Sequence, residues 1–454
     1  MRTVWSAITS FFRTIGISLV LVWAFLSYGA RRLFKGRMTQ DAKERLRGEV
    51  MAKACERLGA TFIKFGQILS TRPDLLGPGY IEPLSRLQDR VKPESVRRIE
   101  KVLARELGPG LRGLHIESEP IAAASVAQVH RGRLPDGTVV AVKVQRPGVE
   151  GRVKGDVGIL AFWSKVIHTL PSMRPLSLPG SVERFGHALE GQLDFRKEAE
   201  NNRRFAKNFA AVDGLDVPRL HDDFCTQRVL VMDFVEGVKG SEPEKVGGDR
   251  ARLARIGASA ILKMVFTDGF VHADLHPGNI ILTPDGRVVM IDLGMVAEIP
   301  PELMRPWLQT FLALGQQNGA EVARLLYVHS PEVGTFEYAT YESECVAWFS
   351  RWLGKPLGEI EASVVLSGVM NILRKYRIRI DPSFTVVHVA MLVAEGLGKQ
   401  LDPSLDIVQL AVPVIATAML KAPPGIPPKR DLPSLPKEGS GEGPLGGGAG
   451  SSRQ

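Results

Sequence analysis

No charged residue occurs between Thr14 and Ala30, where the chain reads TIGISLVLVWAFLSYGA. As a helix these seventeen residues would be about 25 Å long, slightly short of a bilayer's hydrocarbon core. From Asp41 to Ser70 apolar positions recur at three- and four-residue steps, among them Leu46, Val50, Leu58, Phe62 and Leu69. That spacing predicts one long helix. Between Leu114 and Gln145 the pattern changes to strand-like. SVAQVHRGRL and TVVAVKVQ flank Pro135-Asp136-Gly137, the signature of a β-hairpin. Val149–Leu170 and Ser181–Ala211 read as helices, and Arg228–Val235 as an apolar strand. Helices dominate from Arg250 onward, interrupted by a second hairpin around Pro284-Asp285-Gly286. After Lys421 the chain turns to Pro, Gly and Ser, a composition that predicts disorder. The expected fold is α+β and bilobal, a strand-rich N-lobe and a helical C-lobe preceded by a helical extension. The boundaries read as an apolar segment with a basic cluster (1–40), an extension (41–114), an N-lobe (115–235), a C-lobe (236–405), a second apolar segment (406–421) and a tail (422–454).

Charge refines the two ends. The chain has 454 residues and a net charge of +9. Its densest basic cluster, Arg31, Arg32, Lys35 and Arg37, follows the apolar run directly. There is no zinc-finger spacing and no basic-aromatic RNA motif, so the charge points to an anionic membrane surface and not to nucleic acid. A secretory signal carries its positive charges first. Here the heavier positive end comes last, which predicts a body on the cytoplasmic side. Residues 14–30 can span the membrane, lie in its interface, or dock on the body. Cys55, Cys225 and Cys345 are scattered and fit neither a disulfide framework nor a zinc site.

The chemistry concentrates in His272-Ala273-Asp274-Leu275-His276-Pro277-Gly278-Asn279 and, eighteen residues past Asp274, in Asp292-Leu293-Gly294. Phosphoryl transfer needs metal-held phosphates and an acceptor positioned in line. Asn279 and Asp292 offer two hard oxygen ligands for Mg²⁺, and Asp274 can orient a hydroxyl or a water. The hairpin IILTPDGRVVMIDLG between them returns both ends to one cleft. Lys143, in Ala141-Val142-Lys143, stands on a strand where a lysine could hold phosphates, and Glu198 in LDFRKEAEN is the candidate helix partner. Ala122-Ala123-Ala124-Ser125, directly before the hairpin, is the candidate phosphate loop, although it lacks the glycine that lets amides approach closely. Met232 and Val235, on the strand that would join the lobes, are candidate nucleotide contacts.

Lys64-Phe65-Gly66-Gln67, the AAAS stretch, Lys143, LDFRKEA, HADLHPGN and DLG occur in an order that resembles the UbiB/AarF family of atypical kinases. The similarity runs from about Arg45 to about Leu405 and includes TRPDLLG, LQDRV and DPSF. The resemblance implies a protein-kinase-like fold with the extension laid over the active site. It implies ATP or ADP with Mg²⁺, and a role in ubiquinone or related quinone synthesis, with membrane lipid, quinone precursors and quinone-biosynthesis proteins as partners. It makes Lys64 and Gln67 residues that reach the nucleotide pocket, Ala122 to Ser125 the loop over the phosphates, Lys143 and Glu198 the ion pair, Asp274 the catalytic-loop aspartate, and Asn279 and Asp292 the metal ligands. Two positions depart from the family pattern. Gln192 stands in Gln192-Leu193-Asp194 where the family has glutamate, and Leu293 replaces the phenylalanine of the metal motif.

Three functions fit: an ATPase or small-molecule or lipid kinase, a protein kinase, and a nucleotide-binding scaffold. Asp292 to Gln309 contains no Ser, Thr or Tyr and no Ala-Pro-Glu marker, so the segment offers no activation-loop phosphosite and little peptide platform. Ala273 replaces the arginine that would clasp such a phosphate. His276 gives the loop a likeness to antibiotic kinases, the alternative phosphotransferases. The intact Asp274, Asn279, Asp292 and Lys143 argue against a scaffold.

Overall fold

The computed structural model describes residues 2–34, 38–70, 76–87, 91–169, 178–352 and 361–433. Lys35, Arg37, most of TRPDLLG, part of LQDRV and the tail from 434 lie outside them. Four helices form the extension: α1 (Arg2–Phe34), α2 (Gln40–Leu58), α3 (Ala60–Ser70) and α4 (Pro78–Ser85). The single helix expected over 41–70 is two, because Gly59 adopts φ +91° and its N–H closes on the Cys55 carbonyl. A left-handed glycine at this place ends a helix.

α1 docks on the body by one face. Ile17 is 1% exposed. The Arg13 guanidinium donates to both carboxylate oxygens of Asp156 at 2.7 and 3.0 Å and to the Leu58 carbonyl. Further along, Arg57 lies 3.6 Å over the Trp23 ring and Arg47 donates to the Tyr28 hydroxyl. The outer face leaves Leu19, Val22, Phe25 and Leu26 exposed. Residues Arg13–Leu33 are long and apolar enough to cross a membrane, and they are held along α2.

The N-lobe sheet has the order β1 (His115–Ala123), β2 (Ala127–Arg133), β3 (Val139–Gln145), β5 (Val229–Asp233), all antiparallel. The first hairpin turns at Gly137, φ +87°. α5 (Val96–Leu107), read from sequence as part of the extension, packs Ile99 and Leu103 on Val140, Val142 and Val144 of β3. The alternation of β3 leaves Ala141 and Lys143 facing the other way. That side receives α8 (Phe195–Phe209), preceded by α6 (Val149–His168) and α7 (Leu178–Gly191). The helix expected over 181–211 is broken because Asp194 caps α8, its side chain accepting from the Arg196 N–H.

The C-lobe begins with α9 (Arg250–Lys263), whose end widens into a π turn at Met264–Asp268. Strand β7 (Phe270–His272) pairs with β10 (Val296–Glu298). β4 (Leu215–Asp216), β9 (Val288–Met290), β8 (Ile280–Leu282) and β6 (Val238–Lys239) form a second sheet in that order. Helices α10 (Pro301–Gly315), α11 (Gly319–His329), α12 (Tyr338–Ser350), α13 (Ala362–Lys375), α14 (Pro382–Leu401) and α15 (Ile407–Lys421) enclose one continuous apolar core. The residues directly after α15 correct the expectation of a disordered tail from 422. The Ile426 N–H donates to the Glu302 carbonyl, Lys429 N–H to Val328, and the Arg430 guanidinium to Ser330. Backbone carbonyls at the ends of α10 and α11 supply partners that composition does not reveal.

Candidate active site

Lys143 on β3 places its ammonium 2.8 and 2.9 Å from the two carboxylate oxygens of Glu198 on α8 and 2.7 Å from Asp292 Oδ1. Burial works against the charged ammonium, but Asp292 and Glu198 outweigh it and hold the Lys143 pKa above the usual lysine range. Lys143 in turn holds Asp292 well below the carboxylate range, while burial pushes Glu198 up. The cluster therefore keeps Lys143 protonated and Asp292 ionised, with Asp292 half exposed to the cleft.

Local backbone geometry aims these groups. Asp292 has φ +58°, a region aspartate tolerates better than most residues. The Leu293 carbonyl accepts from Asn201 of α8 at 2.8 Å. A Cβ at Gly294 would stand 3.2 Å from Glu198 Oε2, so a larger third residue of the motif would crowd that carboxylate. Asp274 follows β7. His272, 1% exposed, accepts the Asp274 N–H at Nδ1, so its Nε2–H donates to the Ile291 carbonyl. Burial lowers the His272 pKa, which keeps this neutral tautomer. Asn279 donates from Nδ2 to the Asp274 carbonyl at 3.0 Å, and its own carbonyl accepts from the Ile291 N–H beside Asp292. One hydrogen-bonded circuit thus joins the two motifs that the sequence separates.

The extension supplies the remaining cation. Lys64 on α3 is 8% exposed, and its ammonium lies 2.6 Å from Asp274 Oδ2. Phe65 meets Phe185 of α7 edge-on at 4.8 Å, and Gly66 lies so close to Leu87 that a Cβ would come within 2.4 Å. Lys64, Ser125, Lys143, Glu198, Asp274 and Asp292 surround a cavity of about 50 Å³.

Other sequence-derived candidates fall elsewhere. Gln67 donates to the Leu87 carbonyl at 3.0 Å and ties the extension to itself instead of reaching the cavity. Ala122 and Ala123 are paired in β1 with Val129 and Gln128, so the turn over the cavity is reduced to Ala124, Ser125 and Val126. Its closure is the Ala124 N–H to Ala127 carbonyl bond. Met232 belongs to a small cluster with Ala127 and Phe195 behind the cavity, and Val235 lies half buried on the link beyond β5. Among the lining residues that escape the sequence reading are Phe195 and Gly294. Phe195 carries Lys143 5.6 Å above its ring, and Gly294 gives Glu198 room. Both sit inside motifs already singled out, LDFRKEA and DLG, and chain adjacency to Glu198 and Asp292 is the signal that could have found them. Gln192 lines the same cavity.

Residues 86–326 match the ABC1 atypical kinase-like domain, and residues 345–406 the UbiB helical domain. A probable protein kinase UbiB of Sodalis glossinidius is 33% identical over 396 residues, 83% of this chain and 71% of the relative. Its counterpart in Shewanella loihica is 32% identical over 84% of this chain and 72% of its own length. Among solved structures, the Rv3197–erythromycin complex of Mycobacterium tuberculosis superposes with a TM-score of 0.50 at 23% identity, covering 80% of this chain and 99% of that one. That likeness concerns the fold. The length and identity of the curated matches, with both domains in register, establish that this chain belongs to the UbiB family of atypical kinase-like proteins.

Proposed function

We propose that the cleft binds ATP or ADP with Mg²⁺, and that the protein is an ATPase or a small-molecule or lipid phosphotransferase supporting isoprenoid quinone synthesis at a membrane. The observation that carries this reading is the convergence of Lys143, Glu198, Asp274 and Asp292 from four separate elements on one cleft, with Asn279 tied to the Asp274 carbonyl beside it. Lys143 would hold phosphate oxygens. Asn279 spends its Nδ2 on the Asp274 carbonyl, which leaves Oδ1 without a donor among the described residues. That oxygen and the Asp292 carboxylate are hard ligands of the kind Mg²⁺ takes alongside phosphates and water. When bound, Mg²⁺ would neutralise charge on the phosphates. Lys64 narrows the space beside Asp274, which favours water or a small acceptor over a folded peptide. The outer face of α1 supports attachment of the body to a membrane surface, on the cytoplasmic side given the basic cluster behind it.

Asp292→Asn tests the site cleanly, because asparagine tolerates the left-handed backbone as aspartate does. The variant is expected to lose at least about tenfold in Mg²⁺-nucleotide affinity, measured by titration calorimetry, since a carboxylate becomes a weaker neutral ligand. A deletion strain carrying it should accumulate quinone precursors like the strain lacking the protein. Unchanged affinity would remove the site assignment, and normal quinone levels the physiological one.

A further inference from the structure

A cavity larger than the cleft lies apart from it. It lies in the C-lobe, measures about 240 Å³, and is walled by Phe266, Phe311, Phe349, Met391, Ala411 and Ile415. We infer that this cavity is a second ligand site, which takes an uncharged amphiphile: a hydrocarbon tail bearing a neutral oxygen head.

Three observations lead there. First, the walls are mostly apolar, aliphatic and aromatic together, and each of the six residues named is at most 9% exposed. Water needs two to four polar partners to occupy such a space, and these walls do not supply them. A dry void forfeits dispersion contacts on every side, which a hydrocarbon tail restores. Second, the backbone is arranged to keep the space open. The π turn Met264–Asp268 puts Phe266 into the wall, and α10 stops at Gly315, which has no side chain to fill the rim. Single π turns inside helices recur at functional sites. On the facing side α15 presents Ala411, and its Pro413 has no N–H to donate back along the helix. Third, the rim is polar but uncharged. No described lining residue is charged, and the side-chain amides at the edge belong to Gln316 and Gln317. An amide both donates and accepts, which suits a hydroxyl or a carbonyl. A carboxylate or phosphate head would meet no cation there and would be desolvated without compensation. Gln316 is exposed and Val412 is 49% exposed, so the mouth is open to solvent.

The test uses the full chain without nucleotide, so its outcome is separate from that of the cleft. Farnesol is the neutral probe and farnesyl phosphate the anionic one. Tryptophan emission reports binding through Trp352, which lines the cavity, and the melting midpoint reports stability. Farnesol should bind and raise the midpoint, at least about tenfold more tightly than farnesyl phosphate. Ala411→Phe fills the void. It should weaken farnesol at least about tenfold and itself melt no lower than the parent. Val412→Trp obstructs the mouth from an exposed position, so it reads binding even if the filled variant folds poorly, and it should weaken farnesol likewise. Absence of farnesol binding to the parent, or equal affinity in Val412→Trp, would overturn the site. Tighter binding of farnesyl phosphate would overturn the neutral head.

Discussion

At the scale of single residues, the site is governed by two lysines that answer two aspartates. Lys143 pairs with Asp292, and Lys64, brought in by the extension, pairs with Asp274. Asp274 is the group that would orient an acceptor, so Lys64 restrains it. Replacing Lys64 with alanine should free Asp274 and raise unproductive ATP hydrolysis or self-phosphorylation by about tenfold, a barrier change of roughly 1.4 kcal/mol. Gln192→Glu should lower the basal rate, because it places a carboxylate at the wall of the cavity that Lys64 also lines. Steady-state hydrolysis and self-labelling of the three forms with lipid vesicles decide the matter. Equal rates without labelling would make Lys64 a structural lysine. Much of this was legible in the chain, because Asp274, Asn279 and Asp292 are tied by short-range geometry that fixes their spacing. What stayed hidden depended on distant pairing. Whether Ala122 and Ala123 form loop or strand is decided by Val129 and Gln128 across the sheet, and the reach of Gln67 by the position of Leu87.

At the scale of elements, periodicity located most helices and both hairpins but not what each face would meet. α5 is the clearest case, since an amphipathic helix between extension and sheet can serve either, and the apolar side of β3 decided. The breaks at Gly59 and Asp194 were visible as residue types. Only the cap geometry turned them into ends. α1 is the element with the most to test. Contacts at Arg13, Trp23 and Tyr28 hold it along α2, and α2 carries exposed polar residues such as Lys53 and Glu56 beside it. A lone span would drag those contacts apart, so we propose that α1 lies on the membrane with its outer face down. Replacing Leu19, Phe25 and Leu26 together with serine should weaken co-flotation with anionic vesicles at least about tenfold, with no fall in melting temperature. Unaltered flotation would move the attachment elsewhere, with the apolar helix α15 as the next surface to test.

At the scale of the whole molecule, a histidine in the C-lobe core contributes to the response to acid. His388 is 4% exposed, with Nε2 3.4 Å from the Ser367 hydroxyl, and burial lowers its pKa to about 4. In the unfolded chain a histidine titrates near 6.5. Between these values the unfolded state binds a proton that the folded state refuses, so stability falls as pH drops through the window. The loss reaches about 3 kcal/mol by pH 4. His388→Gln should show a shallower decline of urea midpoint from pH 7 to 4.5, and parallel slopes would exonerate His388. The anchored stretch after α15 has a different consequence, one of timing. Chains are synthesised from the N-terminus, and their earlier parts fold first. The extension and N-lobe can be complete while α10 still lacks α15 and the stretch at Ile426, Lys429 and Arg430 that ties down the ends of α10 and α11. Until those residues leave the ribosome, an apolar flank of the larger lobe stays open to solvent, and a nascent chain stalled before them would expose that flank to chaperones and to other unfinished copies.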